Sequence, residues 1–546
     1  MRKSNWLLIG IVALAALLRF WGISSVPESL YWDEVSQGYN AYSLLTTGGY
    51  DEHHEFLPVA RFIAFGDYKA PVNIYLTVPS IRIFGKNTFA VRFPSALFGT
   101  LTVLFVYFLA RELFWERKNA LISLAAPFLL AISPWHIQLS RAAYEGNIAT
   151  FFTVLGVYLF LLAKRKNPWI LVASSISFTI GIYAFNAQRI FIPLLIILLT
   201  ILYWKDFLKK EKVIPIIASC IVGLVLLVPF IQFLRTPESK LRFNEVSIFT
   251  YSAEDVVHES NAWIQEENNS TLAKIIHNRR VIFSLLYLRH YFDFFNPNFL
   301  FFTGDINPRF SMQDSGELFL FELPLILFGA FAIAKNKNKT TILLFGWFIL
   351  APVAAATAKE TPHALRGEPY IPTYEMMGAY GIWYLSQLLS ARKQILRFTW
   401  IGGIVIVVVS VAAFLNNYFV NFPKLYSYDW QYGYQQAIIA TQKLQNQYDV
   451  ISFTSYYGRP YIYLLWFGNI PSQTYWNIGS ITHDVFGFYN VTAVGKYQFR
   501  SQLIESTDVG KKVLYVGAPG EIPLNFHIIQ SIDFLNGKPD FILATR

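Results

Sequence analysis

About eleven apolar runs, most of them long enough to cross a bilayer as helix, limit what this chain can fold into. They lie near 5–23, 88–110, 119–134, 147–163, 168–185, 190–204, 213–234, 318–334, 340–357, 370–390 and 398–419. Of the 546 residues, 54% are hydrophobic and 15% charged, whereas a soluble chain carries about 25% charged residues. A polytopic α-helical membrane protein is expected. The first run follows Arg2 and Lys3 and leads into Arg19, Phe20 and Trp21, an interfacial set with no small-residue cleavage site. It reads as an uncleaved span.

The breaks between runs alternate. The N-terminus and residues 111–118, 164–166, 205–212, 335–339 and 392–397 are short and basic. The breaks on the other side are long, or short with few cations. Basic loops stay inside, so the N-terminus is expected in the cytoplasm of a multi-pass plasma-membrane protein. An odd number of spans then places the C-terminus outside. Much of the net charge of +10 is accounted for by topology and is no nucleic-acid footprint. The single cysteine, Cys220, lies in an apolar run, which excludes an intramolecular disulfide.

A domain of residues 1–420 would carry the spans and two long outside loops, 24–87 and 235–317. The second loop holds Glu238, Glu245, Glu254, Asp255, Glu259, Glu266 and Glu267, and its stretch 281–295 reads as interfacial. Residues 421–546 read as a small extracytoplasmic α/β domain. Its helix falls at 434–447 and its buried strands at 449–455 and 512–517, with a hairpin of 528–534 and 539–545 around Asn536-Gly537.

Chemistry gathers in the outside segments. Asp33-Glu34 follows the first span and opens a helical pattern in which Val35, Tyr39, Tyr42 and Leu45 share a face. A helix on the outer membrane surface is expected, with two carboxylates in its first turn where the dipole favours negative charge. Acids beside a membrane are costly unless they act. Lys69, before Ala70 and Pro71, offers a point charge to a phosphate. Ser140-Arg141-Ala142-Ala143-Tyr144-Glu145 places a cation and an acid in the next outside turn. Arg189 and then His363 with Arg366 occupy two more. Their recurrence suggests an outward-facing anion site with a base beside it. Asp51-Glu52-His53-His54-Glu55 offers metal ligands, chiefly His53, His54 and Glu55, without the spacing of a zinc motif.

An acidic pair after the first span, then Lys-x-Pro, then Ser-Arg-Ala-x-x-Glu, resembles the membrane glycosyltransferases of the protein O-mannosyltransferase and aminoarabinose-transferase type, of GT-C fold. Further matching stretches are Val91-Arg92-Phe93-Pro94-Ser95-Ala96, Ser133-Pro134-Trp135-His136 and Gln188-Arg189-Ile190-Phe191-Ile192-Pro193, with Gly304-Asp305 and Arg309. The resemblance covers roughly residues 1–420. It implies transfer of a sugar from a polyprenyl-phosphate donor to a hydroxyl outside the membrane. By motif position it makes Asp33 the base, supported by Glu34, and Glu145 a second carboxylate. Lys69, Arg189 and Arg366, with Arg141 and His363, would hold the phosphate. Asp305, Arg309 and Tyr39 are further site candidates. The family's lysine is often followed by two prolines, and Ala70 replaces the first.

The implied partners are the lipid-linked donor, membrane lipids and an acceptor protein, lipid or glycan, with no nucleic acid. No cofactor is firmly implied. Such a donor leaves as a phosphate once cations neutralise it, and a carboxylate base activates the hydroxyl, giving metal-independent transfer with inversion. A glycan ligase or oligosaccharyltransferase would use a lipid-pyrophosphate donor and a divalent metal. A lipid or solute transporter would place its ionisable residues at the midplane and show inverted repeats.

Overall fold

The computed structural model describes residues 2–65, 67–115, 120–251, 253–483 and 487–546. Arg117 and Lys118 of the first internal basic break, and Asp484 of the tail, lie outside the described residues. The chain forms two compact units: residues 1–21, 95–140 and 144–414, and residues 22–94, 141–143 and 415–546.

The first unit is helical. A helix stands over each expected run: Arg2–Phe20, Thr88–Leu113, Ala120–Ile132, Glu145–Arg165, Ile170–Ala184, Gln188–Tyr203, Lys210–Leu234, Glu322–Ala334, Lys339–Ala355, Ile371–Leu388 and Lys393–Asn416. Among the described residues five apolar stretches are long enough to cross a membrane alone: Thr88–Leu113, Glu145–Arg165, Gln188–Phe207, Lys210–Leu234 and Lys393–Tyr426. The last two leave most of their apolar side chains uncovered, as lipid-facing helices do. The single span expected at 119–134 is instead a bent pair, Ala120–Ile132 and Pro134–Arg141, with 56° between them. Proline follows the last turn, and its ring cannot continue the helix.

Arg19 fixes that bend. It was expected at the interface, yet it is fully buried. Its guanidinium donates to the carbonyls of Leu130 and Ala131 at 3.1 Å each, satisfying the end of Ala120–Ile132. It also stands 2.6 Å from Nδ1 of His136 on the next helix. Elsewhere glycine permits contact of main chains. A Cβ on Gly329 would lie 1.8 Å from the Met377 carbonyl oxygen, and one on Gly381 1.9 Å from that of Leu325. Helices Glu322–Ala334 and Ile371–Leu388 thus pack backbone to backbone, a small-residue contact of the kind membrane helices use.

Four of the basic breaks meet around one cavity of this unit. Leu113, Lys164, Arg165, Tyr203, Asn336 and Lys339 line one cavity of about 340 Å³. There Arg165 pairs with Glu112 at 2.6 Å and Lys339 with Asp206 at 2.7 Å.

The second unit holds a sheet of seven strands: β3 Val450–Thr454, β4 Gly479–His483, β5 Tyr489–Val494, β6 Tyr497–Arg500, β7 Val513–Gly517, β8 His527–Asp533 and β9 Pro539–Thr545, after a small hairpin of β1 Phe62–Ala64 and β2 Asp67–Lys69. The order is β4-β5-β6-β3-β7-β9-β8, with β6, β3 and β7 parallel and the rest antiparallel. The expected tail helix appears as Gly433–Leu444, and β3, β7 and the β8–β9 hairpin stand where the apolar alternation places them. Gly537 turns that hairpin at φ 80°, a conformation glycine adopts without a Cβ penalty.

Two expectations change here. Helix Trp32–Thr47 does not read as a surface helix, because ten residues from Glu34 to Leu44 are buried around most of its circumference. Nor does segment 24–87 group with the spans. Val35, Tyr39 and Leu44 share one core with Ile438, Ile451, Phe453, Leu464 and Leu543. The physical reason is Gly38: a Cβ there would lie 2.8 Å from Val91 and 3.1 Å from Trp466, so the helix packs flush against Pro460–Phe467. Gly38→Leu is expected to lower stability by roughly 2–3 kcal/mol through overpacking, read as earlier thermal unfolding in detergent.

Asp540 gives a second test. Burial pushes its carboxyl up to about 7, against hydrogen bonds from the Gly433 N–H and the Tyr457 side chain. The folded state therefore holds this proton more tightly than the unfolded chain. Its stabilising contribution is complete below about pH 4 and is lost as pH rises to about 7. Asp540→Asn should flatten the decline of unfolding temperature across that window.

Candidate active site

In the second unit Trp32–Thr47 presents Asp33 and Glu34 in its first turn, and the two carboxylates have separate environments. Asp33 stays partly open, its side chain 27% exposed, and is ion-paired with the Lys69 ammonium. Lys69 ends β2, is only 4% exposed, and stands 5.5 Å over the Phe65 ring. Ala70 has an extended backbone and Pro71 begins helix Pro71–Phe84, so one proline suffices to end the hairpin and start the helix.

Glu34 is fully buried and saturated. Its Oε1 accepts from Arg92 Nε at 2.8 Å and from the Ala143 N–H at 2.9 Å. Its Oε2 accepts from Arg92 Nη2 at 2.9 Å and from the Tyr31 N–H at 3.3 Å. Arg92 spends its remaining donors on the carbonyls of Ile23 at 2.9 Å, Pro27 at 2.6 Å and Ser29. Asn73 adds a second tie, donating to Gln37 Oε1 and to the Ala143 carbonyl at 2.8 Å. These contacts fix the direction of the turn that carries Asp33.

Arg141 is also buried, donating from Nη2 to the Val26 carbonyl at 2.7 Å and lying over Tyr418 and Phe419 at 5.3 and 4.9 Å. The Tyr39 hydroxyl donates to the Ile470 carbonyl at 3.0 Å. The metal candidates diverge: Glu55 pairs with Arg61, His54 stacks on Trp476 at 4.2 Å, and His53 Nε2 lies 3.2 Å from Glu52 Oε1. Among the described residues no group of three or more His, Cys, Asp or Glu is placed to share an ion.

The first unit brings together Asp305, His363, Arg366 and Arg309. Asp305 Oδ2 accepts the Ala364 N–H at 2.7 Å and lies 3.6 Å from His363 Nδ1. Burial pushes its carboxyl up to about 6, while N–H groups of Asn307 and Ala364 and the Arg366 guanidinium pull the other way. The Arg309 carbonyl accepts from the Tyr144 hydroxyl at 2.9 Å and from Gln138 at 3.2 Å. Glu145 begins its helix at the first position, where the dipole favours a carboxylate. Arg189 lies over the Phe230 ring at 4.8 Å.

In the sequence Arg92 figures only within a matching stretch, with no role of its own, and Asn73 not at all. A charged arginine inside an apolar run is the signal that pointed to Arg92, since such a cation needs a partner.

Residues 9–246 match the family model described as dolichyl-phosphate-mannose-protein mannosyltransferase. Among curated proteins, "Putative mannosyltransferase YkcB" of Bacillus subtilis (strain 168) is 26% identical over 228 residues, 40% of this chain and 29% of that protein. An uncharacterized protein of Aquifex aeolicus (strain VF5) is 31% identical over 142 residues, 24% of this chain and 33% of its own length. The chain thus spans about a third or less of the curated relatives it matches. ArnT from Cupriavidus metallidurans, in the apo state, superposes at a TM-score of 0.56 with 11% identity, covering 100% of this chain and 98% of that one. Bound to undecaprenyl phosphate it scores 0.53 over 99% and 98%, again with 11% identity. The Archaeoglobus fulgidus oligosaccharyltransferase tethered to an acceptor peptide scores 0.52 with 16% identity, over 85% of this chain and 63% of that one. The family model and the shared fold bear out the resemblance drawn from the motifs.

Removing one partner of the Glu34–Arg92 pair leaves a buried charge alone. Arg92→Ala should cost about 3–5 kcal/mol, seen as a large fall in unfolding temperature, while the exposed Lys335→Ala control leaves it unchanged.

Proposed function

We propose that this chain, a GT-C membrane protein whose residues 9–246 match a mannosyltransferase family, moves a sugar from a polyprenyl-phosphate donor to an acceptor hydroxyl at the outer membrane face. The observation that carries this reading is the Asp33–Lys69 pair: an accessible carboxylate at a helix N-terminus, oriented by a buried ammonium. Asp33 takes the hydroxyl proton as the oxygen attacks the anomeric carbon. The bond from that carbon to the phosphate oxygen breaks, and the lipid phosphate leaves with its electron pair. Attack opposite the leaving group inverts the centre.

Lys69 is assigned to the phosphate, whose charge grows as the bond breaks, and motif position alone adds Arg189 and Arg366 as candidates for it. His363, Arg309 and Glu145 remain site candidates, and Asp305 positions the turn of His363 and Arg366 through the Ala364 N–H. Glu34 and Arg141 fit better as positioning residues, because their polar atoms already hold main chain. A neighbour of this fold binds undecaprenyl phosphate, a lipid phosphate of the kind that the proposed donor would release. Lys69 on Asp33 also favours lipid-phosphate chemistry over a metal-dependent ligase, since a carboxylate paired with a lysine is a poor cation ligand. The reading includes eleven crossings with the basic ends in the cytoplasm, and the meeting of four basic breaks around one cavity supports it.

Asp33→Asn should reduce transfer from a polyprenyl-phosphate sugar by roughly 10²–10⁴-fold with the unfolding temperature preserved. Near-normal transfer by this variant would remove Asp33 from the mechanism.

A further inference from the structure

The C-terminal sheet carries a cavity that the transfer chemistry does not use. β3 lies between β6 and β7, parallel to both. From the end of β3 the chain leaves toward β6, and from the end of β7 it leaves toward β9 and β8. The two exits diverge at neighbouring strands, and parallel sheets bind ligands in the crevice beyond such a switch point. A cavity of about 610 Å³ opens there, lined by Tyr456 and Tyr457 after β3, by residues 518–521 after β7, and by Tyr428 and the β8–β9 turn. That volume suits a ligand of one to three sugar rings.

Its chemistry is specific. Tyr456 and Tyr428 expose 65% and 51% of their surfaces, an unusual cost for large rings outside an interface. Tyr456 meets Tyr457 edge-on at 5.0 Å and 87°, and Tyr428 meets Phe534 at 5.6 Å and Tyr457 at 5.9 Å. These rings make an aromatic wall that is held in place: the Tyr457 hydroxyl donates to the Asp540 carbonyl at 2.8 Å. Beside it Glu521 is fixed by the Thr454 hydroxyl at 3.0 Å and the Ala518 N–H at 2.8 Å. Each of its oxygens retains a lone pair for another donor. Asn536 and Lys538 complete the polar side.

Flat aromatic faces suit the C–H faces of a pyranose, and carboxylate, amide and ammonium groups suit its hydroxyls. One acid against one base favours a neutral ligand, and no glycine-rich phosphate loop follows either strand. We infer that this cavity binds a neutral saccharide, through Tyr456 and Tyr428 on the ring face and Glu521 on the hydroxyls. The saccharide would be part of a glycan presented as acceptor; that last step rests on the proposed transferase function, whereas the binding does not.

The test uses the full-length protein in nanodiscs, with mannotriose, maltotriose and chitotriose as probes in saturation-transfer NMR and calorimetry. Saturable binding of at least one is expected, weakened roughly tenfold or more by Tyr456→Ala and by Glu521→Gln, with unfolding temperature unchanged. Asp33→Asn should bind the same probe as the native protein. Failure of all three sugars to bind, binding indifferent to both substitutions, or preference for a tyrosine-rich peptide over every sugar would overturn the inference. Loss of transfer in Asp33→Asn with sugar binding intact concerns catalysis alone, so the two readings fail separately.

Discussion

The buried pair of Glu34 and Arg92 is the interaction on which the candidate site depends. Two opposite charges removed from water repay their desolvation only when every remaining donor and acceptor is satisfied. Here the carboxylate takes four hydrogen bonds and the guanidinium gives five. The partners are main-chain groups of residues 23–31 and 143, so the pair sets the path of backbone leading into Trp32–Thr47. Asp33 inherits its direction from its neighbour. The two members of an acidic dipeptide thus differ in environment, one buried and holding the turn, the other partly open and paired with Lys69.

Much of the fold could be read from periodicity alone. Apolar runs near 20 residues became helices, the buried strands 450–454 and 513–517 stood in their places, and the Asn536-Gly537 hairpin formed. Lipid and sheet cores both impose a strong local pattern. What pattern could not show was partnership. Trp32–Thr47 has the spacing of a one-faced helix, yet glycine at position 38 opens its other face to the tail. β4 shows no alternation because four of its five residues are open to solvent, and β4 to β6 went unread. A bend at Ser133 is foreshadowed by Pro134, but its stabilisation by Arg19 is not.

The site was legible as residue types rather than as geometry. Asp33 and Lys69 were separate features of one loop, and the structure joins them through a hairpin of three-residue strands. Arg141 carried the right charge for a phosphate, yet its guanidinium donates to the Val26 carbonyl and lies over the Tyr418 and Phe419 rings. A cation near a membrane surface has several equivalent explanations, and only its partners separate them. The aromatic cavity beyond β3 and β7 had no sequence signature, because its tyrosines come from segments about 30 residues apart with no shared motif.

The composition of the second unit has a consequence for biogenesis. Residues 22–94 belong to the same core as residues 415–546, and the Trp32 N–H donates to Gln431, 399 positions away. At about 5–20 residues per second, the Asp33 helix emerges tens of seconds before the strands that bury it are made. During that interval Val35, Tyr39 and Leu44 lack their native cover, beside a membrane that also accepts apolar faces. Assembly of the turn that carries Asp33 is therefore a late event, coupled to synthesis of the C-terminal strands. A ribosome that stops before β7 leaves behind a set of membrane helices with the Asp33 carboxylate unpositioned.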